Sequence, residues 1–533
     1  MPHQEYILTI DLGTSGPKVS LFDSKLVLVA SGFREVPLIL EGREGVEQNP
    51  ADWISGIEAI LTELKNDHSS ELSQVIAVNV TAQWSGTVAL GENGKPLMNA
   101  IIWMDSRGAP GAEALTDGWP KVDGYGLFEV LNWIRITGGA PTRSGKDSIS
   151  HILYLKKERP EVYKQTRVFL EPKDYINFYL TGKSAASYDS ITVHWLTDNR
   201  DIHKIKYSDS LIKKSGIDRA KLPDLVAINS VIGKLRTELT ERFGIPANAV
   251  VISGTPDLHS GAVGSGGVLD FAPHVYIGTS SWIVCHVPFK KTDLFHNMAS
   301  LPSAIPGRYL LVNEQQTAGA SLQFLRNQVF FPKNGVLATK APPDFYQKMD
   351  ELADSVTSGS EGLLFLPWLN GERSPFDVKN VRGGFINMSL RHEQRHMIRA
   401  VLEGVAYNLR WLAEYTQKFC NKRFESIRFI GGGAQSRVWS QILADVLKIR
   451  IEQMDAPLSA NSRGAAALAL VALGKLTLEE VQTLAKVKEV FIPREEASRV
   501  HDRQYKGFVD FFNRNQGWFN KANRDVYTPE KAT

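Results

Sequence analysis

The chain has 533 residues, of which 43% are hydrophobic and 22% charged, a balance typical of folded globular proteins, and its length predicts two large domains. Lys and Arg number 61 against 58 Asp and Glu, so we expect no basic field for nucleic acid or for a membrane surface. Two cysteines, no leader pattern and no apolar run of about 20 residues predict a cytoplasmic protein without membrane spans.

The N-terminal segment predicts two strands joined by a glycine-rich turn. Tyr6–Ile10 and Lys18–Phe22 are rich in apolar, β-compatible residues, and Asp-Leu-Gly-Thr-Ser-Gly (residues 11–16) separates them. A third strand at 27–32 would complete a meander. The turn differs from the P-loop pattern G-x-x-x-x-G-K-[ST], so the sequence does not support a P-loop NTPase.

This first turn has the parts of a phosphate site, although an ordinary β-hairpin explains it equally well in isolation. Backbone N–H groups of such turns bind phosphate oxygens, hydroxyl groups add donors, and a lysine adds positive charge. Asp11, at the end of a strand, could hold Mg²⁺ through water. The candidate ATP ligands here are Asp11, Gly13, Thr14, Ser15 and Lys18.

Helices and strands alternate in the following residues, which predicts an α/β fold. Asn49–Leu64 has an Asn at the cap position, Pro at the first helical position and apolar residues at helical spacing. Gln74–Thr81 is rich in β-branched residues and predicts a buried strand.

Asp257 follows the apolar run 250–253 in the segment Gly-Thr-Pro-Asp-Leu-His-Ser-Gly (residues 254–261) and would lie where a strand meets a helix. Near bound Mg-ATP, a carboxylate there could act as general base on an attacking hydroxyl and could also contact the metal. A helix-capping Asp is the more common explanation for such a residue alone.

The second half repeats the pattern of the first. Strands are predicted at His274–Ile277 and Trp282–His286, and Gly-Thr-Ser-Ser (278–281) separates them. Two Gly-Thr-Ser turns between strand pairs suggest two similar domains that face each other. We place the boundary near 262–274, which gives a domain at 1–265, a second domain at 266–490 and a helical tail at 491–533.

Two further small-residue turns favour a nucleotide held between these domains. Gly431-Gly432-Gly433-Ala434 follows a predicted strand at Ser426–Ile430 and precedes an amphipathic helix at Val438–Leu447. The segment 317–323 (TAGASLQ) would open another helix. For the triple-glycine turn alone, close packing of a strand on a helix is the more common explanation.

Six sequence motifs, taken in chain order, resemble those of the FGGY family of carbohydrate kinases, a branch of the actin-like ATPases. The resemblance covers about residues 6–490. The segments that carry the resemblance are IDLGTSGPK (10–18), EQNPADW (47–53), WMDSR (103–107), KDY with LTG (173–175, 180–182), GERSP (371–375) and GFINMSLRHEQRHMIRAVLEG (384–404). The stretch 148–156 matches poorly, because His151 stands where the family usually has Lys. The resemblance implies two actin-like, ribonuclease H-like domains that flank a central cleft.

The resemblance also implies roles for individual residues. Asp257 would be the catalytic base and, with Asp11, a magnesium contact. The second domain would line the ATP site through Thr279, Gly319, Gln323, Gly432, Gly433 and Arg437. The sugar would lie near Gln83, Trp84, Ser85, Trp103, Asp105 and Asp257, although Trp103 could equally be a core residue.

The acceptor is less clear from the sequence. Gln83-Trp84-Ser85-Gly86 stands where xylulokinases usually have Gln-Met-His-Gly and glycerol kinases have Arg-Glu, and Leu258 replaces the usual Asn or Gln after the base. We expect a pentulose, D-xylulose first; another polyol, ketose or sugar acid (glycerol, ribulose, gluconate) stays open. So do an actin-like ATPase without sugar transfer, a catalytically idle binding protein, and a homodimer.

Overall fold

The structure is a computed structural model that describes residues 4–334 and 340–523. Its first sheet has six strands: β1 (Tyr6–Gly13), β2 (Gly16–Asp23), β3 (Leu28–Phe33), β4 (Val75–Ala82), β5 (Val231–Lys234) and β6 (Val250–Pro256). Their spatial order is β5-β6-β4-β1-β2-β3. The meander β1-β2-β3 is antiparallel, and β4 and β6 run parallel to β1.

The second sheet has eight strands: β7 (His274–Ile277), β8 (Ser281–Val287), β9 (Thr292–Asp293), β10 (Met298–Pro302), β11 (Tyr309–Val312), β12 (Ser426–Ile430), β13 (Arg450–Met454) and β14 (Val487–Phe491). Their order is β9-β10-β11-β8-β7-β12-β13-β14. Here too an antiparallel meander, β7-β8-β11, adjoins two parallel strands, β12 and β13. The two sheets therefore share one core topology, which confirms the predicted pair of similar α/β lobes.

Nine of the described helices bear on the core or the site. They are α1 (Pro50–Asp67), α2 (Ser148–Glu158), α3 (Pro172–Thr181), α4 (Asp257–Gly264), α5 (Gly319–Phe324), α6 (Gln394–Cys420), α7 (Arg437–Leu447), α8 (Ala460–Ala472) and α9 (Glu495–Ala522). Asn49 caps α1 by accepting a hydrogen bond from the Ala51 N–H at 3.1 Å, and Pro50 occupies the first turn, as the sequence predicts.

Further helices and small sheets lie in the connections between these elements. The other helices are Ser69–Leu72, Ala109–Thr116, Leu127–Thr137, Pro160–Gln165, Asp209–Ser215, Thr237–Phe243, Phe345–Asp354 and Leu478–Leu484. In one small sheet Gly45–Gln48 pairs with both Ile39–Glu41 and Ala100–Ile101, and in another Val88–Gly91 pairs with Thr166–Leu170. Across the described ranges, no helix has both the length and the apolar character needed to cross a bilayer.

Two helices join the lobes and fix the position of Asp257. α4 leaves the end of β6 in the first lobe and packs against α8, which also contacts β1 and β4. A Cβ added at Gly264 would lie 1.8 Å from the Ala460 carbonyl oxygen, and one at Gly464 would lie 1.8 Å from the Ser260 carbonyl oxygen. Only glycine therefore allows the two backbones to touch at this crossing.

The tail from Glu495 forms the predicted helix, α9, which packs its aromatic residues Tyr505, Phe508 and Phe512 into the core of the second lobe. The last part of the predicted tail, residues 524–533, lies outside the described residues. The division of the chain at 265/266 and 490/491 stays a prediction.

Candidate active site

A cleft of about 350 Å³ lies between the two sheets, and both Gly-Thr-Ser turns line it. The β1–β2 turn enters from the first lobe, and the β7–β8 turn enters from the second. The predicted site residues that line it are Asp11, Gly13, Thr14, Ser15, Lys18, Gln83, Trp84, Ser85, Trp103, Asp257, Thr279 and Gly432. The fold thus brings together twelve positions that span residues 11 to 432 of the chain.

Lys18 links the two lobes at one end of this cleft. Its Nζ lies 3.9 Å from a carboxylate oxygen of Asp11 and donates a hydrogen bond of 2.9 Å to the Leu458 carbonyl oxygen. Burial raises the pKa of Asp11, and the charge of Lys18 opposes that shift. A cation and a carboxylate beside a glycine-rich turn are the groups that phosphate and its metal ion require.

A chain of hydrogen bonds holds the first turn. The Trp103 indole Nε1 donates to Thr14 Oγ1 at 2.9 Å, and Thr14 Oγ1 donates to Gln83 Oε1 at 3.1 Å. Gln83 Nε2 in turn donates to Gln48 Oε1 at 2.9 Å, and Gln48 Nε2 donates to the Thr14 carbonyl oxygen at 2.8 Å. Trp103 and Gln83 therefore position Thr14. Gln48, which belongs to the EQNP segment, joins that segment to the turn.

Asp257 is the first residue of α4 and is half-buried in the cleft. One carboxylate oxygen accepts a hydrogen bond of 2.7 Å from the Leu258 N–H. Burial raises the pKa of Asp257 to about 7, and the negative charge of Asp11 adds to the rise. A carboxylate that titrates near neutral pH is well suited to accept a proton from a hydroxyl group.

Two glycines of the cleft have no packing reason to be glycine. A Cβ added at Gly13 would meet only the Gly16 carbonyl oxygen, at 3.9 Å, and one at Gly432 only the Ile277 carbonyl oxygen, also at 3.9 Å. Neither has a positive φ. The neighbouring Gly433 differs, because its Cβ would lie 2.8 Å from the Ile277 side chain. Gly13 and Gly432 therefore keep open space in the cleft itself, as a ligand that approaches the backbone would need.

Five of the predicted site residues do not line the cleft. Asp105 is buried in an ion pair with Arg107 at 2.7 Å. Arg437 is 68% exposed and pairs with Glu489, and Gln323 is exposed on α5. Gly319 and Gly433 lie just behind the lining, packed against Gly278 and Ile277. A role in ligand binding for these five residues stays a prediction.

Several residues that line the cleft are not among the predicted site residues. They are Lys146, Tyr276, Trp282, Glu314, Arg373, Leu458 and Asn461. Arg373 belongs to the GERSP segment and forms an ion pair with Glu314, so the motif carried a usable signal. Tyr276 and Trp282 stack with ring centroids 4.0 Å apart on the strands that flank the second turn, a position that the strand pairing predicts.

Lys146 carried no such signal, because it lies just before the stretch that matches the family poorly. It has neither a hydrogen bond nor an ion pair with any of the residues that the structure describes. Burial and the nearby charge of Arg373 lower the pKa of Lys146 to about 8. An unpaired, partly buried ammonium group in a cleft would be stabilised by an electron-rich ligand.

Comparison with known proteins decides the family. Residues 6–264 match the N-terminal domain of the FGGY family of carbohydrate kinases, and residues 274–473 match its C-terminal domain. The chain belongs to this family. It is therefore an ATP-dependent sugar kinase, and the predicted actin-like pair of lobes is consistent with that membership.

Individual relatives of the kinase agree. It is 30% identical to a xylulose kinase of Lactococcus lactis subsp. lactis over 453 residues, 84% of this chain and 85% of that protein. It is also 30% identical to a xylulose kinase of Staphylococcus epidermidis over 507 residues, 94% and 95% of the two chains. The fold matches the crystal structure of a gluconate kinase from Lactobacillus acidophilus with a TM-score of 0.83, at 24% identity and over 97% and 99% of the chains.

Proposed function

We propose that this kinase transfers the γ-phosphate of ATP to a hydroxyl group of D-xylulose, with Asp257 as the general base. The observation that carries the proposal is the position of Asp257, half-buried in the cleft that both Gly-Thr-Ser turns line, with a pKa raised to about 7. The names of the two curated relatives support the choice of sugar.

The residues divide the reaction as follows. Asp257 accepts the proton of the acceptor hydroxyl group. The hydroxyl oxygen attacks the γ-phosphorus, and ADP leaves with the electron pair of the broken P–O bond. Lys18 and the N–H groups of the first turn stabilise phosphate charge. Gly432 and Gly13 leave room for the nucleotide to approach the backbone from the two lobes.

Mg²⁺ fits the carboxylates of this cleft. In the part of the chain that the structure describes, no cluster of three or more His, Cys, Asp or Glu side chains forms a cage for a metal ion. Mg²⁺ often uses only one or two carboxylates together with phosphates and water. Asp11 and Asp257 fit this role, whereas Glu314, which also lines the cleft, is paired with Arg373. When bound, the ion neutralises charge on the β- and γ-phosphates. A cytoplasmic location and a homodimer stay predictions.

A sugar acid is the second candidate acceptor, and Lys146 is the observation that favours it. Its ammonium group lies in the same cleft as Asp257 and lacks an acidic partner among the described residues. The carboxylate of a sugar acid such as gluconate would supply that partner.

ADP release with a panel of acceptors tests the proposal. We expect kcat/KM for D-xylulose to exceed that for D-ribulose, glycerol and D-gluconate by at least about tenfold, a difference of about 1.4 kcal/mol in transition-state binding. A preference for gluconate that disappears in Lys146→Met would support the second candidate. ATP hydrolysis that no acceptor accelerates would contradict both.

A further inference from the structure

A second cavity of about 220 Å³ adjoins the active-site cleft. Five residues line both spaces, namely Trp84, Ser85, Leu258, Glu314 and Arg373. One of them, Leu258, follows the proposed base directly. The cavity therefore begins on the acceptor side of Asp257, away from the Lys18 end, and we call it the side cavity.

The walls of the side cavity are mainly apolar. Residues from three separate parts of the chain supply them: Ile134, Ala140, Val193, Trp195, Leu294, Met298, Leu301 and Val312. Water takes about 30 Å³ in the liquid, so the volume has room for about seven groups of that size. The space is larger than a hydroxymethyl group would need.

The polar side chains around the side cavity are already bonded to protein. The Trp84 indole donates to the Ser190 carbonyl oxygen at 2.8 Å, and the Trp195 indole donates to Asp147 Oδ2 at 2.8 Å. Thr292 Oγ1 donates to the Gly138 carbonyl oxygen at 2.7 Å.

The remaining polar groups follow the same pattern. Asn313 uses both amide atoms on the backbone of Ile283, Asp293 accepts from His296, and Glu314 pairs with Arg373. Ser85, shared with the main cleft, is the exception among these described side chains. Tyr125 and Thr142 accept hydrogen bonds through their hydroxyl groups, and Asn297 donates to the Arg373 carbonyl oxygen. A hydroxylated group in the side cavity would lose hydrogen bonds to water and regain few from these mostly engaged side chains, which is unfavourable.

We infer that the side cavity is a subsite for an apolar end of the phosphoryl acceptor. The acceptor would present a hydroxyl group to Asp257 and place a deoxy or alkyl end beyond Leu258 and Trp84. This inference rests on the proposed function, because it takes the hydroxyl that Asp257 deprotonates as the fixed end of the acceptor. It predicts that the enzyme, besides D-xylulose, accepts deoxy or alkyl-extended ketoses and phosphorylates them with higher kcat/KM.

A matched series of acceptors tests this inference in the wild-type enzyme. The series is D-xylulose, 1-deoxy-D-xylulose and homologues that carry an ethyl or a propyl group in place of the 1-methyl group, all with a free C5 hydroxyl. Burial of each methylene should raise kcat/KM by about fourfold, from the usual transfer free energy of a CH₂ group. A flat or falling series with measurable turnover of D-xylulose would overturn the subsite and leave the proposed function intact.

A variant that fills the side cavity adds a second test. Ala140 lines the side cavity but not the main cleft. Ala140→Leu should reduce the ratio of kcat/KM between the propyl homologue and D-xylulose by about tenfold or more, whereas Ala140→Ser, which is nearly the same size, should keep the ratio. An unchanged ratio in a folded Ala140→Leu protein would contradict the inference. If no acceptor in the series is phosphorylated by the wild type, the proposed function fails instead.

Discussion

The two ends of the active-site cleft are built in different ways. The end of the cleft near Lys18, the proposed phosphate end, consists of short contiguous turns. The Thr14 hydroxyl is bonded to Trp103 and Gln83, but Ser15, Thr279 and Ser280 have no side-chain hydrogen bond to the residues described. The acceptor end is assembled from segments around residues 84, 146, 258, 314 and 373, and most of its polar side chains already bond to protein. In the proposed mechanism the first end therefore binds phosphate, whereas the second selects the acceptor mainly by shape.

Because the two ends are built differently, acceptor specificity can change at one of them without loss of phosphoryl transfer. A substitution at the proposed phosphate end should affect the reaction with every acceptor. A substitution at the acceptor end alters only which molecule reaches Asp257. The unusual residues Trp84, Ser85 and Leu258 all lie at the acceptor end.

The largest effect is expected where the two ends meet. Asp257→Asn removes the proton acceptor but keeps the size of the side chain, so kcat should fall by about 10²–10⁴-fold. Binding of an unreactive ATP analogue, measured by calorimetry, should change little.

Asp270→Asn is the matched control, because Asp270 pairs with Arg308 outside the cleft. That variant should keep its kcat. Near-normal turnover in Asp257→Asn would show that Asp257 is not the base and that the phosphoryl group and the acceptor do not react beside it.

A smaller effect separates two adjacent glycines of the phosphate end. Gly432→Val places a side chain in open space, so the melting temperature should hold while KM for ATP rises by about tenfold or more. Gly433→Val forces a side chain against Ile277, so it should destabilise the fold by about 1–3 kcal/mol. Thermal melting and ATP kinetics on both variants measure the contrast. Equal loss of stability in the two would mean that Gly432 also serves packing.

The sequence was sufficient to predict the backbone elements of the proposed phosphate end. Strand, turn and strand are local patterns, so the meander, the Gly-Thr-Ser turns and the helix that begins at Asp257 follow from neighbouring residues. Residues whose environment depends on distant segments were harder. Asp105 lies near Trp103 in the chain, yet its side chain turns into an ion pair with Arg107.

Lys146 and the side cavity could not be predicted for the same reason. The side cavity forms only where the segments 125–142, 193–195 and 292–313 pack around Trp84 and Leu258. No periodicity or motif records such a meeting of distant segments. Local sequence therefore predicts the turns of the cleft, and only tertiary packing reveals the cavity beside it.

The smallest expected effect is the pH dependence of the base. Asp257 must be ionised to accept a proton, so kcat/KM for the acceptor should rise with pH through about 7 and be about tenfold lower at pH 6 than at pH 8. The neighbouring charge of Asp11 contributes to the raised pKa, so Asp11→Asn should move the midpoint to lower pH while burial keeps it above the ordinary value for Asp. A pH-independent rate over this range would contradict the assignment.

Ionisation of Asp257 should affect folding stability and activity in opposite directions as pH rises. The pKa of Asp257 is higher in the folded than in the unfolded chain, so the folded state binds more protons between about pH 4 and pH 7. The contribution of Asp257 to stability therefore falls as pH rises through that window. Asp257→Asn removes this contribution, so the variant should melt above the wild type at pH 8 and gain less at pH 5. The residue that costs stability at the working pH would then be the one that the chemistry requires.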